Sequence, residues 1–345
     1  MSFSQKVLEW YREHKRELPW RSTRDPYKIW LSEIILQQTR VVQGTPYYFK
    51  FIDAFPTVQN LAEAPEEKVL KLWQGLGYYS RARNLHATAK MVVEDHNSEF
   101  PVTYNGLKQL KGVGDYTASA IASICFDIPE PVVDGNVYRV LSRYFGVEHP
   151  INTTKGAKYF KELAREVMDK ENVRDYNQGI MEFGAIQCAP KKPYCLLCPL
   201  NEGCVALREN KVQMLPVKLG KTKVRHRYFN YLVLLDAKKN TLMEQRKGKG
   251  IWQNLYQFPL METEGLLTFQ EMEEKLGQKA FGKSIDTLTA FYEKPLVHKL
   301  SHQHLHTQFW VLNVSGALDN GIPWEDIGSF PVPVLIADFM CAFKI

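Results

Sequence analysis

The chain has 345 residues, enough for two domains of ordinary size, and its 45% apolar content can fill real cores, which excludes a disordered chain. No apolar run approaches the roughly 18 residues of a membrane span, which excludes an integral helical membrane protein. The net charge of +6 is uneven: residues 1–225 hold 32 Lys+Arg against 25 Asp+Glu, a net +7, while residues 226–345 hold 12 against 13, a net −1. That excess suits a nucleic-acid partner, and equally an ordinary solvated surface.

The chain opens MSFSQKVLEWYREHKREL, with charges throughout and no hydrophobic stretch of the kind a signal peptide carries. A cytoplasmic, nucleoid-associated protein is expected, in a compartment that keeps its six cysteines from forming a stable disulfide framework. From residue 1 to about 205 the pattern is helical. Apolar residues recur at three- and four-residue spacing, as in Ile29, Leu31, Ile34, Ile35 and in Leu61, Val69, Leu70, Leu72. Asp25-Pro26 supplies an N-cap and a first-turn proline for the helix starting near Tyr27. On that helix Glu33 stands among Trp30, Ile34, Ile35 and Leu36, where desolvation would raise its pKa. Taken alone, it reads as a surface helix acid.

Residues 107–121, LKQLKGVGDYTASAI, predict a helix ending near Lys111, a tight turn through Gly112-Val113-Gly114, and a second helix. Glycine permits positive φ and a close backbone approach, and the free N–H groups of the second helix can meet a phosphate. By itself the pattern is an ordinary turn between helices. In VVDGNVYRVLSR (132–143), Asp134 stands at a junction into a helix, near amide donors that keep it ionised; alone, it is a helix N-cap. Cys188, Cys195, Cys198 and Cys204 follow with the spacing C-x6-C-x2-C-x5-C. Four thiols on one short loop in a reducing compartment predict an iron–sulfur cluster or a structural zinc ion. Lys191 and Lys192 inside the loop suit a phosphate backbone or plain solvent. Cys125 and Cys341 are assigned to the core.

Residues 206–227 lose the periodicity, gain cations and read as a linker. Beyond it, YFNYLVLLDA and TQFWVLNVSG read as strands, and FQEMEEKLG (269–277) and the end of EDIGSFPVPVLIADFMCAF as helices, so residues 228–345 form an α+β domain. His298, His302, His304 and His306 lie close together. At strand spacing the last three share a face, which suits a polar edge better than a zinc site.

These segments together resemble the endonuclease III superfamily of DNA glycosylases. The cysteine spacing is similar to its [4Fe-4S] loop, and L-K-G-V-G lies ahead of it as the superfamily's helix-hairpin-helix does. LPWR (18–21), WLSEIILQQTRV (30–41), QGLGYYSRARNLH (74–86) and VVDGNVYRVLSR extend the resemblance over residues 18–204. Lyase members carry G-V-G-x-K-T, whose lysine forms a Schiff base. This chain has Tyr116 there, as do the adenine glycosylases of the MutY family.

The resemblance implies a fold, a reaction and a partner. The fold is an all-α helix-hairpin-helix glycosylase part over 1–205, with a six-helix module at about 20–133. Its iron–sulfur subdomain comprises the N-terminal helix and 134–205. A Nudix-like domain for 8-oxoguanine follows, with GIWQNLYQFP (250–259) similar to the Nudix core but no R-E-x-x-E-E helix for hydrolysis. The reaction is hydrolysis of the bond from sugar to adenine mispaired with 8-oxoguanine or guanine, without strand cleavage. Glu33 aligns with the general acid, which protonates adenine N7, and Asp134 with the carboxylate that steadies the oxocarbenium-like sugar. Tyr116 is expected to hydrogen-bond Asp134, and Asn136 to orient water or Asp134.

Gln38 and Tyr78 align with residues that fill the gap left by the flipped base, with Tyr79 beside them as wedge or core. Trp20, Arg21, Leu36 and Glu182 align with positions around the adenine. Leu300, Ser301 and His302 align with a Phe-Ser-His segment that contacts 8-oxoguanine, leucine replacing the stacking ring. Cys188, Cys195, Cys198 and Cys204 would hold the cluster. The expected partner is double-stranded DNA with A:8-oxoguanine or A:G mispairs, bound by a monomer away from membranes. Rival readings are an endonuclease III-like glycosylase/lyase, a non-catalytic iron–sulfur DNA-binding protein and a Nudix hydrolase.

Overall fold

The structure, a computed structural model, describes residues 1–220, 223–277 and 285–345. Among the described residues no helix is long and apolar enough to cross a membrane. The chain divides into two compact units. One comprises Met1–Ala64 with Asn84–Gly220, the other Pro65–Arg83 with Lys221–Ile345.

The helices in chain order are α1 (Phe3–His14), α2 (Pro26–Leu36), α3 (Val41–Ala54), α4 (Val58–Glu63), α5 (Glu66–Trp73), α6 (Ser80–Asp95), α7 (Tyr104–Gln109), α8 (Asp115–Phe126), α9 (Gly135–Phe145), α10 (Thr154–Val167), α11 (Val173–Ile186) and α12 (Val205–Arg208). In the first unit α2 packs on α3 and α8, and α11 packs on α1, α8 and α9. The sequence explains these contacts. The Asp25 carboxylate accepts the Tyr27 N–H at 2.9 Å, with Pro26 in the first turn, so α2 starts where the cap predicts. The run Thr117–Ile124 of α8 is buried, and its small residues allow close packing. Gly179 of α11 leaves room only for Tyr11 of α1, whose Cβ would lie 3.0 Å from an added methyl.

The stretch read as a linker is bound to the first unit over part of its length. The Ile151 N–H donates to Val217 O at 3.0 Å, and Asn152 pairs with the Leu219 backbone through both its amide groups. The unit therefore extends to Gly220.

In the second unit the strands are β1 (Arg225–Leu235), β2 (Asn240–Thr241), β3 (Glu244–Gln245), β4 (Tyr256–Gln257), β5 (Leu260–Thr263), β6 (Ile285–Ala290), β7 (Leu296–Lys299), β8 (Gln303–Val314) and β9 (Ile322–Pro323). The main sheet runs β5-β1-β8-β6, with β7 also paired to β8. Strands β1 and β8 are parallel, so a long crossover joins them, and both are buried over most of their length. On one face Leu232, Leu234, Trp310 and Leu312 pack with Met272 and Leu276 of α13 (Phe269–Gly277). On the other, Phe309 stacks on Phe339 of α14 (Val334–Ala342) at 4.1 Å between ring centres.

Two sequence expectations change here. Cys341, expected in the core, is exposed at the end of α14. His302 lies in the turn before β8 rather than on it, so the histidine cluster forms across strands, with His226 of β1 hydrogen-bonded to His306 at 2.8 Å.

Gly156 in α10 has no room for a side chain: a Cβ there would lie 2.0 Å from the backbone oxygen of Pro150. Gly156→Ala should destabilise the first unit by at least ~1–3 kcal/mol, the usual cost of overpacking, seen as a lower urea midpoint at unchanged m-value. An unchanged midpoint would contradict this packing.

Candidate active site

One cavity of about 1130 Å³ in the first unit gathers Trp20, Arg21, Glu33, Leu36, Gln38, Gly112, Gly114, Tyr116, Asp134, Asn136 and Glu182. Sequence positions more than 160 apart meet there because α2, α8, α9 and α11 pack together.

Two carboxyls of this cavity, Glu33 and Asp134, have different surroundings. Burial pushes Glu33 up to about 7; the nearby Asp134 charge adds to the rise, while a hydrogen bond from Tyr116 and the charge of Arg21 reduce it. Asp134 is the N-cap of α9. Its Oδ1 accepts the N–H groups of Asn136 at 2.9 Å and Val137 at 2.8 Å, and its Oδ2 accepts Asn136 Nδ2 at 2.8 Å. Burial still raises its pKa overall, against these donors and Arg139. The cap and the cavity carboxylate are thus one residue.

The Tyr116 hydroxyl does not reach Asp134 as expected. It bonds Glu33 and donates to Met181 Sδ at 3.3 Å, while the three donors at Asp134 come from Asn136 and Val137 of α9. Burial and the two carboxyls raise its pKa, so the phenol stays neutral.

Glu182, aligned with an adenine contact, is a buried anion held by two arginines. It accepts Arg16 Nε at 2.6 Å and Nη2 at 2.7 Å, and Arg21 Nη2 at 2.8 Å. Burial alone would raise its pKa, but Arg16 and Arg21 overcome that and hold it at about 2. Trp20 is buried edge-on against Tyr48, their ring centres 5.3 Å apart. Gln38, at the end of α2, is exposed with φ +57.

The hairpin is α7, the turn 110–114, and α8. Gly112 has φ +76, and a Cβ would meet that of Asn84 at 2.7 Å, so only glycine fits. Val113 is buried, while Gly112 and Gly114 are exposed. Asp115, which opens α8, takes Lys161 Nζ at 3.1 Å and the Tyr104 hydroxyl.

The cysteine loop is wired to Asp134 through α9. Arg139 is buried and donates from Nη2 to Asn136 Oδ1 at 2.8 Å and from Nε to Cys188 O at 2.7 Å. One turn on, Arg143 Nη1 reaches Cys188 Sγ at 3.4 Å and Ala189 O at 2.8 Å. Cys188, Cys195, Cys198 and Cys204 line one small cavity of about 30 Å³ with Arg143. Burial and the neighbouring thiols raise the pKa of Cys195 and Cys204, and burial that of Cys198, to about 11. Among the described residues, no three His, Cys, Asp or Glu side chains converge as a ligand set for a single ion. Lys191 and Lys192 are exposed.

The second unit holds its own cavity, of about 770 Å³, lined among others by Tyr78, Trp252, Leu300, Ser301 and His302. The Tyr78 hydroxyl and Ser301 Oγ are 2.6 Å apart, and Tyr78 is 50% exposed with φ +47. Tyr79 is buried and belongs to the core. Arg83, Arg225, Arg227, Lys249 and Lys299 also line this cavity, and among the described residues no carboxylate does.

Residues 31–170 match the family model of the HhH-GPD superfamily base excision DNA repair protein, and residues 230–341 match the NUDIX domain. The adenine DNA glycosylase of Buchnera aphidicola subsp. Schizaphis graminum is 36% identical over 314 residues, spanning 91% of this chain and 88% of that protein. The chain belongs to the adenine DNA glycosylase family. The Mus musculus member is 43% identical over 214 residues, 59% of this chain and 42% of its own. Among solved structures, a thermostable thymine-DNA glycosylase aligns at TM-score 0.56 and 32% identity, over 60% of this chain and 95% of that one. A trapped endonuclease III–DNA covalent intermediate shares the fold at TM-score 0.53 and 21% identity, over 60% and 94%.

Against that family frame, sequence reasoning missed Arg16, Arg139 and Arg143. Arg16 reaches Glu182 across 166 positions, and Arg139 and Arg143 reach Cys188 across 49 and 45, separations that leave no local signal. Arg139 and Arg143 do sit four apart on one face of α9, which marks a shared target without naming it.

Glu182→Gln should leave two arginines without their anion and cost roughly 1–3 kcal/mol, the range of hydrogen bonds to charged groups. The depressed pKa sets the sign: this stability is full above pH about 4.5 and is lost as pH falls toward about 2. The variant's acid unfolding should therefore be flatter over that window. An equally steep curve would mean Glu182 is not the anion responsible.

Proposed function

We propose that this member of the family is a monofunctional glycosylase that hydrolyses the bond between adenine and deoxyribose in A:8-oxoguanine and A:G mispairs. The observation that carries the reading is the pairing of Glu33, raised to about 7, with Asp134, surrounded by donors, in one cavity. An acid still protonated near neutral pH can give its proton to N7 of a flipped adenine and make it a better leaving group. An anion with fixed donors can face the positive charge that develops on the sugar. Asn136, bonded to Asp134, orients the carboxylate and the attacking water, and the Tyr116 hydroxyl positions Glu33. Among the described lining residues the cavity has Arg16, Arg21 and Arg40 but no lysine, which supports hydrolysis over a Schiff-base lyase.

The cavity at Tyr78 and Ser301 is the proposed reading site for the opposite base. The hydroxyl of Ser301 can switch between Tyr78 and an 8-oxoguanine edge, and Leu300 wedges without stacking. Five cations around it suit the phosphates of the lesion strand. The exposed Gly112 and Gly114, the exposed Lys191 and Lys192, and the exposed Tyr78 are all features that double-stranded DNA would meet. Glu271 of α13 is bonded to Thr268 at the helix start, which fits a capping role better than metal-dependent hydrolysis.

Cys188, Cys195, Cys198 and Cys204 are the residues that would hold a [4Fe-4S] cluster. Their fit rests on four thiols around one cavity, with Arg143 donating to Cys188 Sγ. Such a cluster would cross-link the loop and keep the thiols deprotonated despite their raised pKa values. Purified protein should absorb in the visible and carry iron, both lost in Cys198→Ser. Colourless protein with stoichiometric zinc would overturn the assignment.

The deciding experiment is single-turnover base release on A:8-oxoguanine and A:G duplexes across pH. The rate should fall roughly tenfold per unit well above pH 7, as Glu33 loses its proton, and Glu33→Gln should lose at least ~100-fold. The same raised pKa makes ionised Glu33 a stability cost: its contribution is full below pH about 4.5 and is lost as pH rises through about 7. A flat profile, or an active Glu33→Gln, would sink the acid role. Borohydride trapping of wild type in high yield would favour the lyase.

A further inference from the structure

Residues 65–83 lie inside the stretch matched by the glycosylase family model, yet they fold with the second unit. The attachments are many and specific. Glu66 Oε1 accepts Asn254 Nδ2 at 2.5 Å, and Glu67 Oε1 accepts the Tyr256 hydroxyl at 2.5 Å. Lys71 Nζ donates to Gly328 O at 2.5 Å and to Phe330 O at 3.0 Å, at the end of the short helix Trp324–Ser329. Gln74 Oε1 accepts the Val332 N–H at 3.3 Å, and the Tyr79 hydroxyl donates to Val332 O at 3.3 Å. Arg83 Nη1 donates to Gln253 O at 2.9 Å.

Between these attachments lies the turn that carries Tyr78. Arg81 Nη2 donates to Leu76 O at 3.2 Å and Gly77 O at 3.1 Å, with its guanidinium 4.9 Å from the Trp73 ring centre. The turn is left-handed at Gly77 (φ +71) and at Tyr78 (φ +47). A tyrosine stays in that region only when its surroundings hold it. Its hydroxyl then meets Ser301.

We propose that Pro65–Arg83 is a positioning arm of the second unit, anchored by Lys71, that makes reading the opposite base and wedging Tyr78 one operation. Lys71 is the anchor because its amine joins α5 to two carbonyls at the end of one helix, where a cation is favoured. It acts through Tyr78 and touches neither base. The proposal rests on the reading of Tyr78 and Ser301 given above, and it makes Lys71 a determinant of the preference for 8-oxoguanine over guanine. It also means that cutting away residues 226–345 would strip this arm of its partners, so such a fragment would not be an intact glycosylase with its reader removed.

The test uses full-length, cluster-loaded protein and the ratio of single-turnover rates on A:8-oxoguanine and A:G. Lys71→Met should lower that ratio about three- to tenfold, the range of a hydrogen bond, with melting temperature and visible absorbance kept. Lys71→Arg, which can still donate to both carbonyls, should restore it. Tyr78→Phe should lower the ratio in wild type but add little in the Lys71→Met background, since the two act in series. If Lys71→Met does not fold, Gln74→Leu removes a neighbouring attachment and carries the same comparison. An unchanged ratio in the folded variant, or losses that multiply independently, would overturn the proposal. A wild type with no preference for 8-oxoguanine would instead overturn the reading beneath it.

Discussion

Glu33 and Asp134 line one cavity of the first unit, and of this pair only Asp134 is given firm hydrogen-bond donors. Asp134 takes two backbone amides and the Asn136 side chain, all within 2.9 Å. Glu33 takes a phenol, and burial dominates its pKa. A cavity with equal donors at both would hold two anions, or two acids, and could not protonate a base while facing a cation. Much of the helical packing serves this inequality. The N-terminus of α9 has to point its amides at Asp134, and α2 has to bring Glu33 out of water on the face it shares with Ile29 and Leu36.

Arginines carry the arrangement outward. Arg139 fixes Asn136 on one side and the backbone of Cys188 on the other, and Arg143 reaches the sulfur itself. The cysteine loop is therefore built onto the same helix that donates to Asp134. Gly184 of α11 completes the fit, since a Cβ there would lie 2.7 Å from that of Asn136. Arg16 and Arg21 hold Glu182 as an anion, against a burial that by itself would have raised its pKa.

In the second unit, net charge is a poor guide to the surface. Residues 226–345 sum to −1, yet three of their cations, Arg227, Lys249 and Lys299, gather around one cavity, joined by Arg225 and Arg83 from outside that stretch. Arg227 is matched by Glu262 through a two-pronged pair at 2.6 and 2.7 Å. A chain near neutral can present a basic cavity when its carboxylates are placed elsewhere, and composition cannot see that placement.

Motif spacing made the cysteine loop and the Gly-Val-Gly turn visible in the sequence, because each depends on residues within a few positions of one another, whereas Glu33, Asp134 and Tyr116 stood out only through the family resemblance of the segments that carry them. Local rules also placed α2, α13 and α14, since caps, prolines and periodicity act over one or two turns. Tertiary packing alone decided the partner of Tyr116, the burial of Tyr79, the exposure of Cys341 and the arginine pairs at Glu182 and Cys188. It also decided that residues 65–83 fold with a domain that begins some 140 positions later. A hydrogen bond or an ion pair joins atoms brought close by the fold, whatever their separation along the chain. The sequence by itself determined which chemistry the chain can carry; only the packing of helices and strands decided which groups hold each other's charge.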